Sequence, residues 1–233
     1  MSIQTRDVGE IASRSFGFMV KLTRDIGNLL LLIVLNVIPI INFIVLGYFV
    51  RVVRYDHDEP PKLSDYGGLF VEGLKLVIAV LIYAFISLIL FVVGAIGAGI
   101  TFIGYRWEFW VLRDFFLLLI AVAVIFLILI FFIALAALSI YMRTGDFGKI
   151  FAFGEAWDLV GRFGLGNYII FFIMLVVFNA IVAAIGSLIP WVGLAILGVF
   201  SMAFTFKALS LFVNLKYPIP PPPPPPSPTH PTF

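Results

Sequence analysis

Residues 27–50, 76–104 and 115–142 contain no charged residue, and each stretch exceeds the roughly 20 residues a helix needs to cross bilayer hydrocarbon. A fourth stretch, residues 168–215, carries a single charge, Lys207, and is long enough for two spans with a turn between them. In hydrocarbon every backbone N–H and C=O must be satisfied within the chain, so runs of this kind fold as helices or not at all. Composition agrees: 62% of the 233 residues are hydrophobic and 12% are charged, with a mean hydropathy of +1.14. A soluble domain carries about 25% charged residues. The expected fold is all-α: a polytopic transmembrane helical bundle with about five membrane-embedded segments, near 27–50, 76–104, 115–142, 168–186 and 193–215.

Amphipathic segments flank these runs. Residues 1–26 carry Val8, Ile11, Phe16, Met19, Leu22 and Ile26 at helical spacing, and Asp7 with Glu10 gives a variant of the capping box. The spacing predicts an interfacial helix, lying on the bilayer or packed on the protein's own loops. No compact apolar core with a small-residue cleavage site precedes it, so no removable signal peptide is expected. A second such helix is predicted around residues 147–162. There Phe147, Ile150, Phe151, Trp157 and Val160 oppose Lys149, Glu155, Asp158 and Arg162. Ser187, Pro190 and Gly193 supply the turn between the last two spans, and Trp107, Trp110 and Trp191 suit the headgroup level on the far face. The chain thus divides into an interfacial helix (1–26), a membrane-embedded domain (27–217) and a disordered proline-rich tail (218–233) that holds ten of the 14 prolines.

The first apolar stretch poses a topological question. Asn36, Pro39 and Asn42 stand at its middle, where the proline removes a backbone hydrogen bond. It is either a kinked span or a re-entrant hairpin of two half-helices, each rising roughly 18 Å. The basic residues favour the hairpin. With a re-entrant first segment, 13 of the 15 lysines and arginines fall on one side and two on the other; with five full spans the better division leaves nine inside. Cytoplasmic loops are the lysine- and arginine-rich ones, so the tail is expected in the cytoplasm of a multi-pass cell-membrane protein.

The connections at 47–76 and 140–169 resemble each other, each running from an apolar stretch through Arg and Asp into a glycine-punctuated aromatic segment. Glycine clusters at 94–99 and 184–193 follow each connection, a pattern of internal duplication found in transporters, although glycine in membrane helices more often serves simple close packing. The strings "PIINFIVLGYFVRVVR", "EPPKLSDYGGLFVEGLKLVIAVLIY" and "YMRTGDFGKIFAF" resemble the archaeal multi-pass membrane family catalogued as domain of unknown function family 4013. The resemblance extends over about residues 10–215 and is most specific at Gly47, Tyr48, Arg51, Pro61, Leu63 and Gly73 to Lys75. It implies an archaeal cell membrane and brings no activity, substrate or catalytic residue.

The residues themselves exclude several chemistries. The chain has no cysteine and two histidines, which removes thiol nucleophiles, disulfides and cysteine-based metal centres. A net charge of +2 without a basic stripe is no nucleic-acid footprint. The "DHDE" run at 56–59 has cation-ligand types, but adjacent residues face one ion only in a special turn, and a solvated loop is the simpler reading. No phosphate loop, HExxH pair or nucleophile elbow is present. No catalytic, cofactor or metal residue is therefore assigned, and an enzyme is not expected. The candidates that remain are Asn36, Pro39, Asn42 and Asn179 as a membrane hinge or path, the asparagines being better explained as interhelical hydrogen-bonding groups, and Lys207 as an intramembrane charge, either functional or reaching back to the interface. Two readings follow. One is a structural or accessory membrane protein acting on the lipid bilayer, on other membrane proteins or on itself. The other is a small-molecule permease or channel built from two related half-bundles. The proline-rich tail is a polyproline II rod, a spacer or a ligand for a cytoplasmic protein.

Overall fold

A computed structural model describes residues 7–103, 108–189 and 192–219, all of them helical or connecting. Helix α1 (Val8–Lys21) starts where the Asp7 carboxylate accepts a hydrogen bond from the Gly9 N–H at 2.9 Å. It packs on α8 (Val192–Val213), burying Ile11, Ser15, Phe18 and Leu22, whereas Phe16 and Ile26 face outward. The buried stripe is thus offset from the apolar list read off the sequence, with Ser15 inside and Phe16 outside.

The first apolar stretch is two helices. α2 (Ile26–Val37) ends at Ile38, and α3 (Asn42–Tyr55) begins after a turn in which Ile40 has φ 70°. Pro39 sits exposed at that turn. Both ends of the pair then meet. The Asn28 side chain donates to the Pro61 carbonyl at 3.2 Å and accepts from the Leu63 N–H at 3.0 Å, while Lys21 donates to the Asp58 carbonyl at 2.9 Å. The chain therefore turns back at residues 38–41, and the start of α2 lies against the loop that follows α3.

Among the described residues, four helices are long and apolar enough to cross a membrane: α4 (Tyr66–Ile103), α5 (Glu108–Thr144), α7 (Leu165–Gly186) and α8. α4 and α5 contain 38 and 37 residues and pair as a long hairpin; α7 and α8 contain 22 each. The outer faces of the long hairpin are broadly apolar and exposed, as at Phe85, Leu88, Leu118 and Leu129. They are shaped for lipid, not water.

The resemblance between the two connections does not extend to their fold. Residues 56–65 form a loop that runs straight into α4, whereas the second copy forms a 3₁₀ turn (Phe147–Phe151) and a separate amphipathic helix, α6 (Phe153–Phe163). The glycine cluster at 94–99 lies inside uninterrupted α4, with Gly94 against Ile120 of α5, while the one at 184–193 ends α7. α6 buries Ala156, Leu159, Val160 and Phe163 and holds the Asp158–Arg162 pair at 3.1 Å. Phe151, Phe153 and Trp157 face outward, with Trp157 59% exposed, the arrangement of an interfacial anchor. Trp107, Trp191, Pro190, the Trp110 side chain and tail residues 220–233 lie outside the described residues.

Candidate functional site

The polar ends of α1, α3, α4, α5 and α8 converge on one junction. It is built from the C-terminus of α3, where Asp56 adopts a left-handed conformation (φ 49°, ψ 44°) that stops the helix and turns its carboxylate toward α8. On α8, Lys207, Ser210 and Asn214 stand three and four residues apart and so share one face. The Lys207 ammonium donates to Asp56 Oδ1 at 3.0 Å, the His57 carbonyl at 2.9 Å and Asp58 Oδ1 at 3.1 Å. Ser210 Oγ donates to Asp56 Oδ1 at 2.6 Å, and Asn214 donates to its other oxygen. The Phe18 ring lies 5.8 Å from the ammonium. Lys207 is 1% exposed. It does not snorkel to water; the α3 cap and the following loop bring carboxylates to it instead, satisfying all three ammonium protons.

A second layer adjoins the first. Arg51 pairs with Asp65 at 2.6 Å and Glu72 at 3.2 Å, and Arg54 pairs with Glu72 at 3.0 Å while donating to the Met142 carbonyl. Arg143 of α5 donates to the Ser210 carbonyl at 2.8 Å, leaving its Nε and Nη1 buried without a hydrogen-bond partner. These layers tie α3, α4, α5 and α8 together through charge. The "DHDE" side chains engage the chain's own cations: Asp56 and Asp58 hold Lys207, and Glu59 lies 3.7 Å from Lys21 and 3.9 Å from Arg24.

The amide candidates fall in separate places. Asn36 donates to the Ala195 carbonyl of α8 at 3.0 Å, and Asn179 of α7 bonds to Thr205 and Ser201 of α8. Asn42, at the start of α3, has a buried Oδ1 with no hydrogen-bond partner. None of them borders the described cavities. The largest of these, about 440 Å³, lies between α4 and α5 and is lined by Ala84, Leu88, Phe91, Ala123, Val124, Leu127 and Phe131, with no polar side chain. Among the described residues the charged and polar contacts gather at the junction, apart from these three amides.

Its electrostatics give a pH dependence. Burial pushes the Asp56 carboxyl up, but the Lys207 charge and hydrogen bonds from Ser210, Lys207 and Asn214 outweigh it and hold the group below its ordinary value. His57 is held below its ordinary value by burial and by the Lys207 charge, against the pull of Asp56. With both values lowered, the folded chain binds fewer protons than the unfolded one. The stabilisation is therefore present above the unfolded values, about 6.5 for histidine and about 3.9 for aspartate, and is lost as pH falls through the folded ones. Melting temperature in detergent is expected to be flat above about pH 6.5 and to fall most steeply below about pH 4. Asp56→Asn should flatten the acid limb; an unchanged limb would remove Asp56 from this role.

No curated protein and no solved structure matches the chain. Residues 30–191 match one family, a span that contains all of the α2–α3 hairpin except the first turn of α2, together with the Arg51–Glu72 layer, Asp56 and α6. With that match over more than half its length, the chain belongs to the family described as Protein of unknown function (DUF4013).

Proposed function

We propose that the chain is a structural or accessory membrane protein, acting through helix packing and through interfacial surfaces offered to lipid and to other membrane proteins. The observation that carries this reading is the saturation of Lys207: the charge buried in a candidate span has all three protons engaged by the α3 cap and loop. Asn36 and Asn179 are likewise spent on α8. Groups engaged this way hold helices together and are not free to pass a solute along. The exposed aromatics of α6 and the cation-rich ends of the helices supply the contact surface, on the cytoplasmic face of the cell membrane by the distribution of basic residues.

A permease or channel is the second reading, supported by the broken α2–α3 pair and the partnerless Asn42 Oδ1. Purified protein in liposomes distinguishes the two. Ion- and dye-loaded vesicles are expected to leak no faster with the protein than without it; a saturable flux lost in Asn42→Ala would overturn the accessory reading. Topology is checked separately, using the natural lack of cysteine. Glu10→Cys and Gly154→Cys should label with an impermeant thiol reagent only in opened cells, and Ser187→Cys in intact cells. Labelling of Glu10→Cys and Gly154→Cys from opposite sides would exclude the re-entrant hairpin.

A further inference from the structure

A cavity of about 270 Å³ lies at the foot of α3, lined by Tyr48, Arg51, Tyr55, His57, Pro61, Lys62, Ser64 and Leu69. Its polar lining offers hydrogen-bond donors and no carboxylate. Arg51 commits Nε to Glu72 and Nη2 to Asp65, which fixes the plane of the guanidinium and leaves Nη1 for a ligand. Gly68 keeps that arrangement open, since a Cβ there would stand 2.6 Å from Arg51 Nη2. Lys62 makes no ion pair with any described residue, unlike Lys21, Lys149, Lys207 and Lys216. The cavity wall is fixed in advance of any ligand: Pro60 and Pro61 stiffen the loop, and the Pro61 carbonyl accepts from both Tyr48 Oη at 2.9 Å and Asn28 at 3.2 Å. It stands beside the polar junction, at the end of the bundle where the basic residues gather and where lipid phosphates lie.

We infer that this cavity is a phosphate-binding site in which Lys62 supplies the unpaired charge and Arg51 Nη1, Ser64 and His57 the orienting donors. The volume is below that of a drug-sized pocket and suits a phosphate with the first atoms of its ester. A fixed guanidinium beside a mobile ammonium is the pairing that recognises a tetrahedral dianion or a phosphodiester. The phosphate belongs either to a lipid headgroup or to a soluble phosphate ester. The inference goes beyond the accessory reading and holds equally for a conduit, because it concerns the loop after α3 and no transmembrane path.

The test uses the full chain in phosphatidylcholine nanodiscs with and without phosphatidylglycerol, and in uncharged detergent with glycerol 3-phosphate, reading the shift in melting temperature. Three variants accompany the wild type: Lys62→Ala, Lys62→Arg and Lys75→Ala. Lys75 is an exposed lysine on α4 that does not line the cavity and serves as the control for general charge loss. Phosphatidylglycerol is expected to raise the melting temperature, with most of the shift lost in Lys62→Ala, retained in Lys62→Arg and retained in Lys75→Ala. Binding should weaken about tenfold or more in Lys62→Ala, as for loss of a charged hydrogen bond. A Lys62-dependent shift with glycerol 3-phosphate as well supports the site and names a soluble ester as sufficient; one confined to phosphatidylglycerol supports it and names the headgroup. Equal losses in Lys62→Ala and Lys75→Ala, or no Lys62-dependent shift with either probe, overturn it.

Discussion

Alanine at Gly47 or at Gly73 is expected to cost the protein most of its folded population. α3 and α4 cross at these two glycines, and each faces the other helix's backbone: a Cβ on Gly47 would coincide with the Leu69 carbonyl, and one on Gly73 with the Phe43 carbonyl. Backbone cannot rotate aside as a side chain can, so the helices must separate, breaking the Arg51–Glu72 layer and the seat of Tyr48 on Pro61. Overpacking in a core costs about 1–3 kcal/mol where side chains absorb the strain, and here the cost should reach about 3 kcal/mol or more. The double variant should cost less than the sum, because separation forced by the first methyl makes room for the second. Gly67→Ala and Gly154→Ala, where a Cβ meets nothing within 4 Å, are the controls and should change stability by less than about 0.5 kcal/mol. Thermal unfolding in detergent reads all five; an unchanged midpoint in Gly47→Ala would mean the helices do not cross this closely.

Lys207→Met is the second large effect. It removes the cation from Asp56, whose carboxylate stays largely buried against Ser210 and Asn214, and breaking one partner of a buried pair costs about 3–5 kcal/mol. Asp58 is exposed and turns to water, with Arg14 still 3.5 Å away, so it adds little. Asp56→Asn keeps a residue tolerant of the left-handed conformation and leaves Lys207 with Asp58 and the His57 carbonyl, so it should cost less. Combining the two substitutions is expected to recover most of the loss, since an apolar group beside a neutral amide leaves no buried charge unpaired. Additive losses in this cycle would show that the pair is not coupled.

Most of the architecture was legible from residues 27–50 and their flanks. A proline amid an uncharged run marks the break between α2 and α3, because it removes a backbone hydrogen bond where a straight helix needs one. The four long helices follow from the absence of charge alone. The junction was harder to see. Lys207 and Asp56 are 151 positions apart, and Lys207 read alone looks like a residue able to reach the interface near Lys216. The available signal was the stripe Lys207, Ser210 and Asn214, polar residues on one face at the end of α8, which demands a polar partner. The direction of the amphipathic faces was only half legible. Phe16, Phe151 and Trp157 count as apolar in any pattern, yet they lie outside the protein core because lipid, as well as protein, accepts an aromatic ring. Helical periodicity cannot tell those two solvents apart.

The unequal lengths of the two long-helix pairs bear on the membrane itself. Residues 76–103 of α4 and 115–142 of α5 are each 28 residues without a charge, a rise of about 42 Å, whereas all of α7 rises about 33 Å. Against a hydrocarbon thickness of about 30 Å, α7 stands nearly upright, but the α4–α5 pair fits only by leaning about 45° or by drawing the surrounding leaflets apart. One flank of the protein thus fits the bilayer upright, and the other only by tilt or by deforming it. The two pairs cannot both stand upright in a bilayer of one thickness.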